Sequence, residues 1–282
     1  MPRCLVCDGR DFGNFAVGLL RCKKCGYVFA DLALSDAEFS ALYERSYFFG
    51  EEYLDYFAER AVLQRNFSKR FEVLRRFLDP SQHRSVLEVG CAYGFFLDLV
   101  RAHFERLVGI DVAGDAVGHA REHLGLDAIH GDLVEHDFGE ERFDVVCLWD
   151  TIEHLRDPRR YLEKIGSLVS NGGLIAITTG DIGSLNARLK REHWRLIHPP
   201  THAHYFSRVT LRRLLARCGF DVVYERHCRN YRSLGNIAYN ILSLRWKKPG
   251  LYRLVTRLGV ERFSVYLNLY DILYVVARKR QI

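Results

Sequence analysis

From residue 85 to residue 226, short apolar segments alternate with amphipathic ones, and this alternation restricts the fold more than any other feature of the sequence. Segments rich in β-branched and aromatic residues predict strands, whereas the 3.6-residue periodicity between most of them predicts helices. Alternating strands and helices form a parallel sheet that is covered on both faces. We expect the strands at residues 85–90, 107–111, 127–131, 143–149, 173–179, 220–226 and 271–278.

The last two predicted strands can pair with each other as an antiparallel hairpin that closes the sheet, although a long segment separates them. The expected fold is therefore an α/β, Rossmann-like, doubly wound sheet with an antiparallel last strand. A chain of 282 residues with 48% hydrophobic content can bury one substantial core and still carry a small extra module.

The turn after the first strand, in VLEVGCAYGFF, lies where open α/β sheets bind ligands, at the carboxyl end of a strand. A dinucleotide fingerprint needs glycine at its first, third and sixth positions, and this chain has Gly90, Ala92 and Phe95 there. Glu88 would also repel a pyrophosphate, because both are anionic, but it would attract an amine. The turn therefore favours a nucleotide that carries a positive charge.

Carboxylates also follow the next three strands. Asp111 ends the second strand, 21 residues after Gly90, which is the spacing for a carboxylate that accepts the ribose hydroxyls. Asp132 and Leu133 follow the third strand, where they can contact an adenine, and Asp150 ends the fourth. These groups describe an adenosine with a cationic amino-acid tail, which is S-adenosylmethionine. The alternative is a structural turn with incidental acids.

With VLEVGCAYGFF, GIDVAG, HGDL and FDVVCLWDTIEHLRDP in this order, the chain resembles the class I S-adenosylmethionine-dependent methyltransferases from about residue 67 to residue 226. Ala92 departs from the glycine that is commoner in this family, and it adds only a methyl group to the turn. The cofactor-binding residues that the resemblance implies are Glu88, Gly90, Ala92 and Gly94 around the methionine, Asp111 with Val112 at the ribose, Asp132 with Leu133 at the adenine, and Asp150.

Four of the eight cysteines lie in the first 25 residues, as two C-x2-C pairs separated by fourteen residues: Cys4, Cys7, Cys22 and Cys25. Each pair can direct two thiolates at one ion, and four thiolates leave no position for water. The pattern predicts a closed, structural zinc site. Two unrelated buried pairs are the alternative.

The sequence divides into a zinc-binding module at residues 1–32, a helical linker or substrate cap at 33–80 and the cofactor-binding domain at 81–282. A basic helical insertion is expected at residues 229–268. The linker contains a cluster of aromatic residues, which either pack in the core or contact the substrate. We take Tyr47 and Tyr53 from this cluster as candidate substrate contacts.

Methyl transfer to a hydroxyl needs a group that removes a proton, and histidine titrates in the suitable range. His154, in DTIEHL, follows the fourth strand. The stretch HYFS is similar to the catalytic-histidine loop of zinc-bearing sugar methyltransferases, which makes His204 the matching candidate, although Ala203 stands where those enzymes often have glutamate. Both histidines have a structural alternative, as a cap, a core residue or a loop-packing residue. Trp194 and His202, in the same loop, are candidate substrate contacts.

The net charge of +6 is concentrated in one segment. Residues 226–260 contain eight Lys or Arg and no Asp or Glu, so this segment favours an anionic partner. Within it, residues 235–260 include a basic amphipathic helix, which can lie on an anionic membrane surface, bind a phosphate or dock on the protein's own core.

These features favour O-methylation of a small acceptor, a sugar or another anionic biosynthetic intermediate, which is either nucleotide-linked or lipid-linked. An RNA methyltransferase and a non-catalytic scaffold are the alternatives, but nucleic acid is not the expected partner because RNA-binding signatures are missing from the basic segment. No run of 18 apolar residues and no leader-like N-terminus is seen, so we expect a cytoplasmic protein, with contact to the inner face of the membrane as an additional hypothesis.

Overall fold

The computed structural model of the protein describes residues 3–32, 34–35, 38–39, 42, 56–57, 59–239, 242, 247–257, 259 and 263–281. The strands in these ranges are β1 Phe12–Ala16, β2 Leu19–Cys22, β3 Val28–Ala30, β4 Ser85–Val89, β5 Arg106–Asp111, β6 Asp127–His130, β7 Phe143–Trp149, β8 Val169–Gly180, β9 His204–Tyr205, β10 Phe220–His227, β11 Asn230–Ser233, β12 Ser264–Leu267 and β13 Ile272–Lys279. The α-helices are α1 Arg60–Leu74, α2 Phe95–Val100, α3 Gly114–Leu124, α4 Pro158–Leu168, α5 Leu185–Lys190, α6 Arg208–Arg217, α7 Leu234–Ala238 and α8 Pro249–Arg257.

The central sheet has seven strands in the order β10-β13-β8-β7-β4-β5-β6. Strand β4 pairs in parallel with β5 and with β7, β5 pairs in parallel with β6, and β7 with β8. Strand β13 lies between β8 and β10 and is antiparallel to both. The fold is therefore the predicted Rossmann-like α/β sheet with an antiparallel last strand, and each of the seven predicted strands is present.

The middle strands are apolar along most of their length because helices cover both faces of the sheet. On β4, Val86 belongs to the hydrophobic cluster on one face, and Leu87 to the cluster on the other. Both side chains are fully buried, as are Val145 and Val146 on the neighbouring β7. A strand that is buried on both faces has no solvent side, so its sequence shows a continuous apolar run in place of alternation.

The N-terminal cysteine-rich segment forms a second sheet, in the order β1-β2-β3-β9. Its last strand comes from the cofactor-binding domain, since Val28 pairs with Tyr205 and Phe29 with His204. The module predicted at residues 1–32 is thus completed by a strand some 170 residues later in the chain. The division at residue 32 marks a change in composition, but the backbone hydrogen bonds continue across it.

The predicted linker and insertion both contribute to the body of the protein. Helix α1 buries Phe67, Phe71 and Leu74 against the main core, and the hydroxyl of Tyr274, on the last strand, donates to the carbonyl of Arg70 at 2.8 Å. In the insertion, β11 and β12 form a separate antiparallel pair beside α7 and α8. The insertion is therefore mixed in structure, whereas the sequence predicted helix.

The described helices are short, the longest being α1 with 15 residues. None of the helices in the described ranges has both the length and the apolar character that are needed to span a bilayer.

The turn between β4 and α2 gives a test of the fold. Gly94 has a φ of 77°, and a Cβ added there would lie 2.5 Å from Leu126 Cδ1. We expect Gly94→Ala to lower the free energy of unfolding by about 2–4 kcal/mol, because the left-handed backbone and the overlap both cost energy.

Gly118→Ala is the matched control, since nothing lies within 4 Å of its added Cβ. Within α3 it should stabilise the protein by about 0.5–1 kcal/mol. Urea unfolding followed by circular dichroism measures both, and equal effects would contradict the described turn.

Candidate functional site

A cavity of about 620 Å³ lies at the carboxyl ends of the central parallel strands, within the usual size range of ligand pockets. The cofactor-binding residues predicted from the sequence line it, with the exception of Glu88 and Gly94. Those in the lining are Gly90, Ala92, Asp111, Val112, Asp132, Leu133 and Asp150. Parallel strands bring these residues together because their carboxyl ends meet at the same edge of the sheet.

The turn after β4 is fixed by its backbone and by one carboxylate. Gly90 has a φ of 76° and Ala92 a φ of 44°, so Ala92 occupies a region that favours glycine. The amide of Ala92 donates to Asp111 Oδ2 at 2.8 Å, and the amide of Ala113 donates to Asp111 Oδ1 at 2.8 Å. The carboxylate predicted for the ribose therefore also holds the turn that surrounds the methionine portion.

Glu88 is buried beneath this turn, with a side chain that is 2% exposed. Its Oε2 atom has no hydrogen-bond partner. Burial raises the pKa of Glu88 well above its ordinary value, and the nearby Asp111 carboxylate raises it further, while Arg70 acts in the opposite direction. A buried carboxyl group in this state is stabilised by the approach of a cation.

The carboxylate of Asp132, which also lines the cavity, is held in place by two hydrogen bonds. The amide of Val134 donates to its Oδ1 at 2.7 Å, and the hydroxyl of Tyr161 donates to its Oδ2. Burial and this carboxylate together raise the pKa of Tyr161 above its ordinary value, so the phenol remains a donor. Each carboxylate oxygen has two lone pairs, so Asp132 can still accept from a ligand amine.

These groups fit S-adenosylmethionine. A buried carboxyl group, one oxygen of which has no hydrogen-bond partner among the described residues, lies near the turn. A second carboxylate lies at the end of β5, and a third lies after β6. These carboxyl groups suit a ligand that carries an amine and hydroxyls. They would repel a ligand that carries phosphates, because both are anionic.

A second cavity of about 450 Å³ adjoins the first. Tyr56, Trp149, Asp150 and His154 line both cavities, so the two cavities share this part of their walls. Asp150 adopts a φ of 51°, and its Oδ2 is 2.6 Å from Nη2 of Arg70, a cation that is 6% exposed. The ion pair fixes the shared wall.

Two histidines and a glutamate converge in the second cavity. Ligand-type atoms of Glu153, His154 and His202 all lie within 4.8 Å of one another. His154 Nδ1 is 2.9 Å from the carbonyl of Thr201, and His202 Nδ1 is 2.9 Å from that of Leu196. Carbonyls only accept, so Nδ1 carries the proton in both rings. Burial lowers the pKa of His154 to about 4 and that of His202 well below its ordinary value, so both imidazoles are neutral near pH 7.

The second cavity also contains arginines. Arg195 pairs with Asp271 at 3.0 Å, and its Nε is buried without a hydrogen-bond acceptor. Arg232, on β11, lines the same cavity, and within the described ranges no carboxylate forms an ion pair with it. Burial and the neighbouring Arg195 lower the pKa of Arg232 to about 10, which still leaves it charged at neutral pH. The cavity therefore presents a cation that forms no direct ion pair with any carboxylate of the described ranges, although Asp271 and Asp150 lie near enough to favour its charge.

Two predicted site residues lie elsewhere. His204 faces the N-terminal module, where its Nδ1 is 2.6 Å from the hydroxyl of Tyr27 and its Nε2 is 3.4 Å from the carbonyl of Arg156. Both ring nitrogens are thus engaged, and His204 lines neither cavity. Trp194 is buried behind the cavity wall and donates its indole N–H to Asp271 at 3.0 Å. Tyr47 and Tyr53 lie outside the described residues.

The structure also brings in residues that the sequence did not indicate. Arg70 looks like a solvated cation in an amphipathic helix, and Tyr161 looks like a core aromatic. Glu153 stands next to His154 in DTIEHL, which was the one signal that could have identified it. The role of Arg70 depends on its contact with Asp150, 80 positions later in the chain, and the role of Tyr161 depends on its contact with Asp132, 29 positions earlier.

The four cysteines of the N-terminal module converge as predicted. Their Sγ atoms lie within 4.8 Å of one another, with 3.5 Å between those of Cys4 and Cys25 and 3.6 Å between those of Cys7 and Cys22. A tetrahedral ion with bonds of about 2.3 Å to sulfur needs sulfurs separated by about 3.8 Å, so the cluster fits zinc.

Comparison with known proteins agrees with this geometry. The model of a family described as "Methyltransferase domain" matches residues 58–225, which is more than half of the chain. A protein of Mycolicibacterium smegmatis named a "probable S-adenosylmethionine-dependent methyltransferase" is 31% identical over 113 residues, covering 39% of this chain and 44% of that protein. A "ubiquinone biosynthesis O-methyltransferase" of Azorhizobium caulinodans is 28% identical over 125 residues, or 43% of this chain and 48% of the relative. The chain thus spans less than half of the length of these curated relatives.

Among solved structures, an "S-adenosylmethionine dependent methyltransferase" of Mesorhizobium loti superposes with a TM-score of 0.51 at 17% identity. The match covers 74% of this chain and 97% of that one, and it shows a shared fold.

Replacement of Glu88 by Met, which is of similar size, separates a binding role from a structural one. Because the folded-state pKa of Glu88 is raised, Glu88 contributes to the free energy of unfolding at low pH, where it is protonated. This contribution is lost as the pH rises and the buried group becomes charged. At pH 7.5 we therefore expect Glu88→Met to raise the Tm of the ligand-free protein by about 2–4 °C.

The same variant should lose most of the Tm increase that S-adenosylmethionine gives the wild type, because the amine loses its counter-ion. Calorimetric unfolding with and without the ligand measures both effects. Glu122→Gln, at an exposed glutamate on α3, is the control that should change neither. Full retention of the ligand-induced shift in Glu88→Met would exclude the binding role.

Proposed function

Since the chain belongs to the methyltransferase-domain family, we propose that it transfers the methyl group of S-adenosylmethionine to an oxygen of a small anionic acceptor in the second cavity. The observation that carries this proposal is the wall common to the two cavities, which consists of Tyr56, Trp149, Asp150 and His154. A donor in the first cavity and an acceptor in the second would meet there, as an in-line displacement requires.

Glu88, buried beneath the turn and outside the cavity lining, would act as the counter-charge to the ammonium group of the methionine tail. In the first cavity, Asp111 would accept from the ribose hydroxyls and Asp132 would accept from the adenine amine. Gly90 keeps the turn open, because a Cβ at that position would lie 2.6 Å from Thr151 Cγ2. The bound cofactor supplies a sulfonium methyl group and a neutral thioether as the leaving group. The protein's task is therefore to position both partners and to exclude water.

In the second cavity, the acceptor hydroxyl must lose its proton as the carbon–oxygen bond forms and the carbon–sulfur bond breaks. His154 lies in the shared wall, and Glu153 and His202 line the same cavity. This cluster is where deprotonation would be promoted, and both imidazoles are neutral near pH 7. His204, whose ring nitrogens are engaged away from the cavities, has no part in the proposal.

The charge of the second cavity supports an anionic acceptor. Arg232 has no ion-pair partner among the described residues, and the buried Nε of Arg195 has no hydrogen-bond acceptor among them, although the same guanidinium pairs with Asp271. A carboxylate or phosphate on the acceptor would satisfy both groups. The amide side chain of Asn230 also lines this cavity and suits a ligand that carries hydroxyls, such as a sugar.

Arg232→Ala tests the anionic acceptor. Labelled S-adenosylmethionine would be incubated with nucleotide-linked sugars, sugar phosphates, lipid-linked sugars, phenolic acids and RNA to find an acceptor. For an anionic acceptor, the variant should raise KM by about tenfold to a hundredfold, because a charged hydrogen bond contributes about 1.5–3 kcal/mol. Its affinity for S-adenosylmethionine should be unchanged.

Arg226→Ala is the matched control, since Arg226 is exposed on β10 and lines neither cavity. An equal KM for a neutral and an anionic form of the same acceptor in the wild type would contradict the proposed charge selection. Methylation of RNA in preference to every small acceptor would instead favour the alternative.

We also propose that the N-terminal cysteines hold a structural zinc ion. The purified protein should contain one zinc per chain, and Cys7→Ser should lose the metal and unfold at a lower temperature, since such sites contribute folding energy directly. Metal analysis and thermal unfolding measure these results. A wild type without stoichiometric zinc would contradict the assignment.

The basic segment supports one further proposal, contact of residues 235–260 with an anionic membrane surface. On α8, Leu251 is 41% exposed, and the preceding Lys247 and Lys248 are exposed as well. Apolar and cationic side chains close together in a short segment suit binding at a lipid interface.

A further inference from the structure

The cluster of Glu153, His154 and His202 has the composition of a metal site, although no local sequence pattern indicates it. The two histidines are 48 positions apart in the chain, and their rings meet edge to face with centroids 4.5 Å apart. With the carboxylate, their ligand-type atoms lie within 4.8 Å of one another. Two imidazoles and one carboxylate are a known ligand set for divalent transition metals that keep open coordination positions.

The hydrogen bonds around the two imidazoles are those of metal ligands. A histidine that binds a metal through one nitrogen almost always donates its other N–H to a carbonyl or carboxylate. Here Nδ1 of His154 donates to the carbonyl of Thr201, and Nδ1 of His202 donates to that of Leu196, each at 2.9 Å. Both backbone contacts fix the tautomer in which Nε2 carries the lone pair.

The glutamate supplies an independent indication. Glu153 is 4% exposed, and its Oε2 atom has no hydrogen-bond partner in the part of the chain that the structure describes. A carboxylate buried in this way is costly unless a cation approaches it. Two of the arginines that line the cavity form ion pairs with other carboxylates, Arg70 with Asp150 at 2.6 Å and Arg195 with Asp271 at 3.0 Å.

We propose that Glu153, His154 and His202 bind one divalent transition-metal cation in the second cavity. Binding of the metal does not depend on the proposed function, but the effect of the metal on an acceptor hydroxyl rests on that function. The site lines the acceptor cavity next to the shared wall, so an open coordination position can take the acceptor hydroxyl. Coordination lowers the pKa of a hydroxyl group. The oxygen would lose its proton to water and then attack the methyl carbon.

Binding of Co²⁺ to the 282-residue chain, with zinc already in the cysteine module, tests the site directly. We expect one equivalent of Co²⁺ to bind with weak visible absorption and without the near-ultraviolet charge-transfer absorption of cobalt bound to thiolates. Glu153→Gln and His202→Ala should each weaken binding by at least about tenfold. His193→Ala, at a histidine of the same loop whose side chain is 86% exposed, should bind like the wild type.

Zinc content and S-adenosylmethionine affinity should be unchanged in these variants, which would show that they are folded. The inference is overturned if the wild type binds no Co²⁺ beyond the cysteine module, if the absorption is that of a thiolate complex, or if Glu153→Gln and His202→Ala bind as tightly as the wild type.

The two proposals can fail separately. Co²⁺ binding with the expected variant pattern, but without methyl transfer to any acceptor, would leave the metal site standing and reject the proposed function. Methyl transfer by a protein that binds no Co²⁺ would reject the metal site and leave the proposed function standing.

Discussion

The ion pair between Arg70 and Asp150 is the interaction on which the arrangement of both cavities depends. Parallel strands bring carboxyl groups to one edge of the sheet. Burial raises the pKa of Glu88 and the nearby Asp111 raises it further, and burial followed by the nearby Asp150 has the same effect on the pKa of Glu153. Like charges at this density in a buried region are costly. The guanidinium of Arg70 lowers this cost, and because it comes from α1 it also fixes the segment before the sheet against the cavity wall.

The N-terminal module is connected to the acceptor cavity through the same backbone segment that carries the histidines. The amide of Ala30 donates to the carbonyl of Ala203 at 2.8 Å, and the amide of Ala203 donates to the carbonyl of Glu153 at 3.0 Å. A metal ion that orders the cysteine module would therefore also order β9 and the residues beside it. The proposed zinc ion would thereby have a structural role in shaping the second cavity.

The cofactor side of the molecule was largely predictable, and the acceptor side was not. Gly90, Asp111 and Asp132 are each within a few residues of a strand end, so their position follows from local pattern and from the rule that ligands bind at the carboxyl ends of parallel strands. No comparable rule predicts where the side chains of the loop that contains His202 and His204 lie. His202 and His204 are two positions apart and have similar surroundings in the sequence, yet one lines the second cavity and the other packs under the cysteine module.

The sequence alone determined the order of strands and helices, the antiparallel closure and the four-cysteine cluster, because each of these is encoded by periodicity or spacing within a short segment. Only the tertiary structure decided that Arg70 neutralises Asp150, that β9 completes the N-terminal sheet and that Glu153, His154 and His202 converge. These contacts join residues separated by about 50 to 180 positions. Whether such side chains meet depends on how the helices and loops pack on the sheet, and no local pattern records that packing.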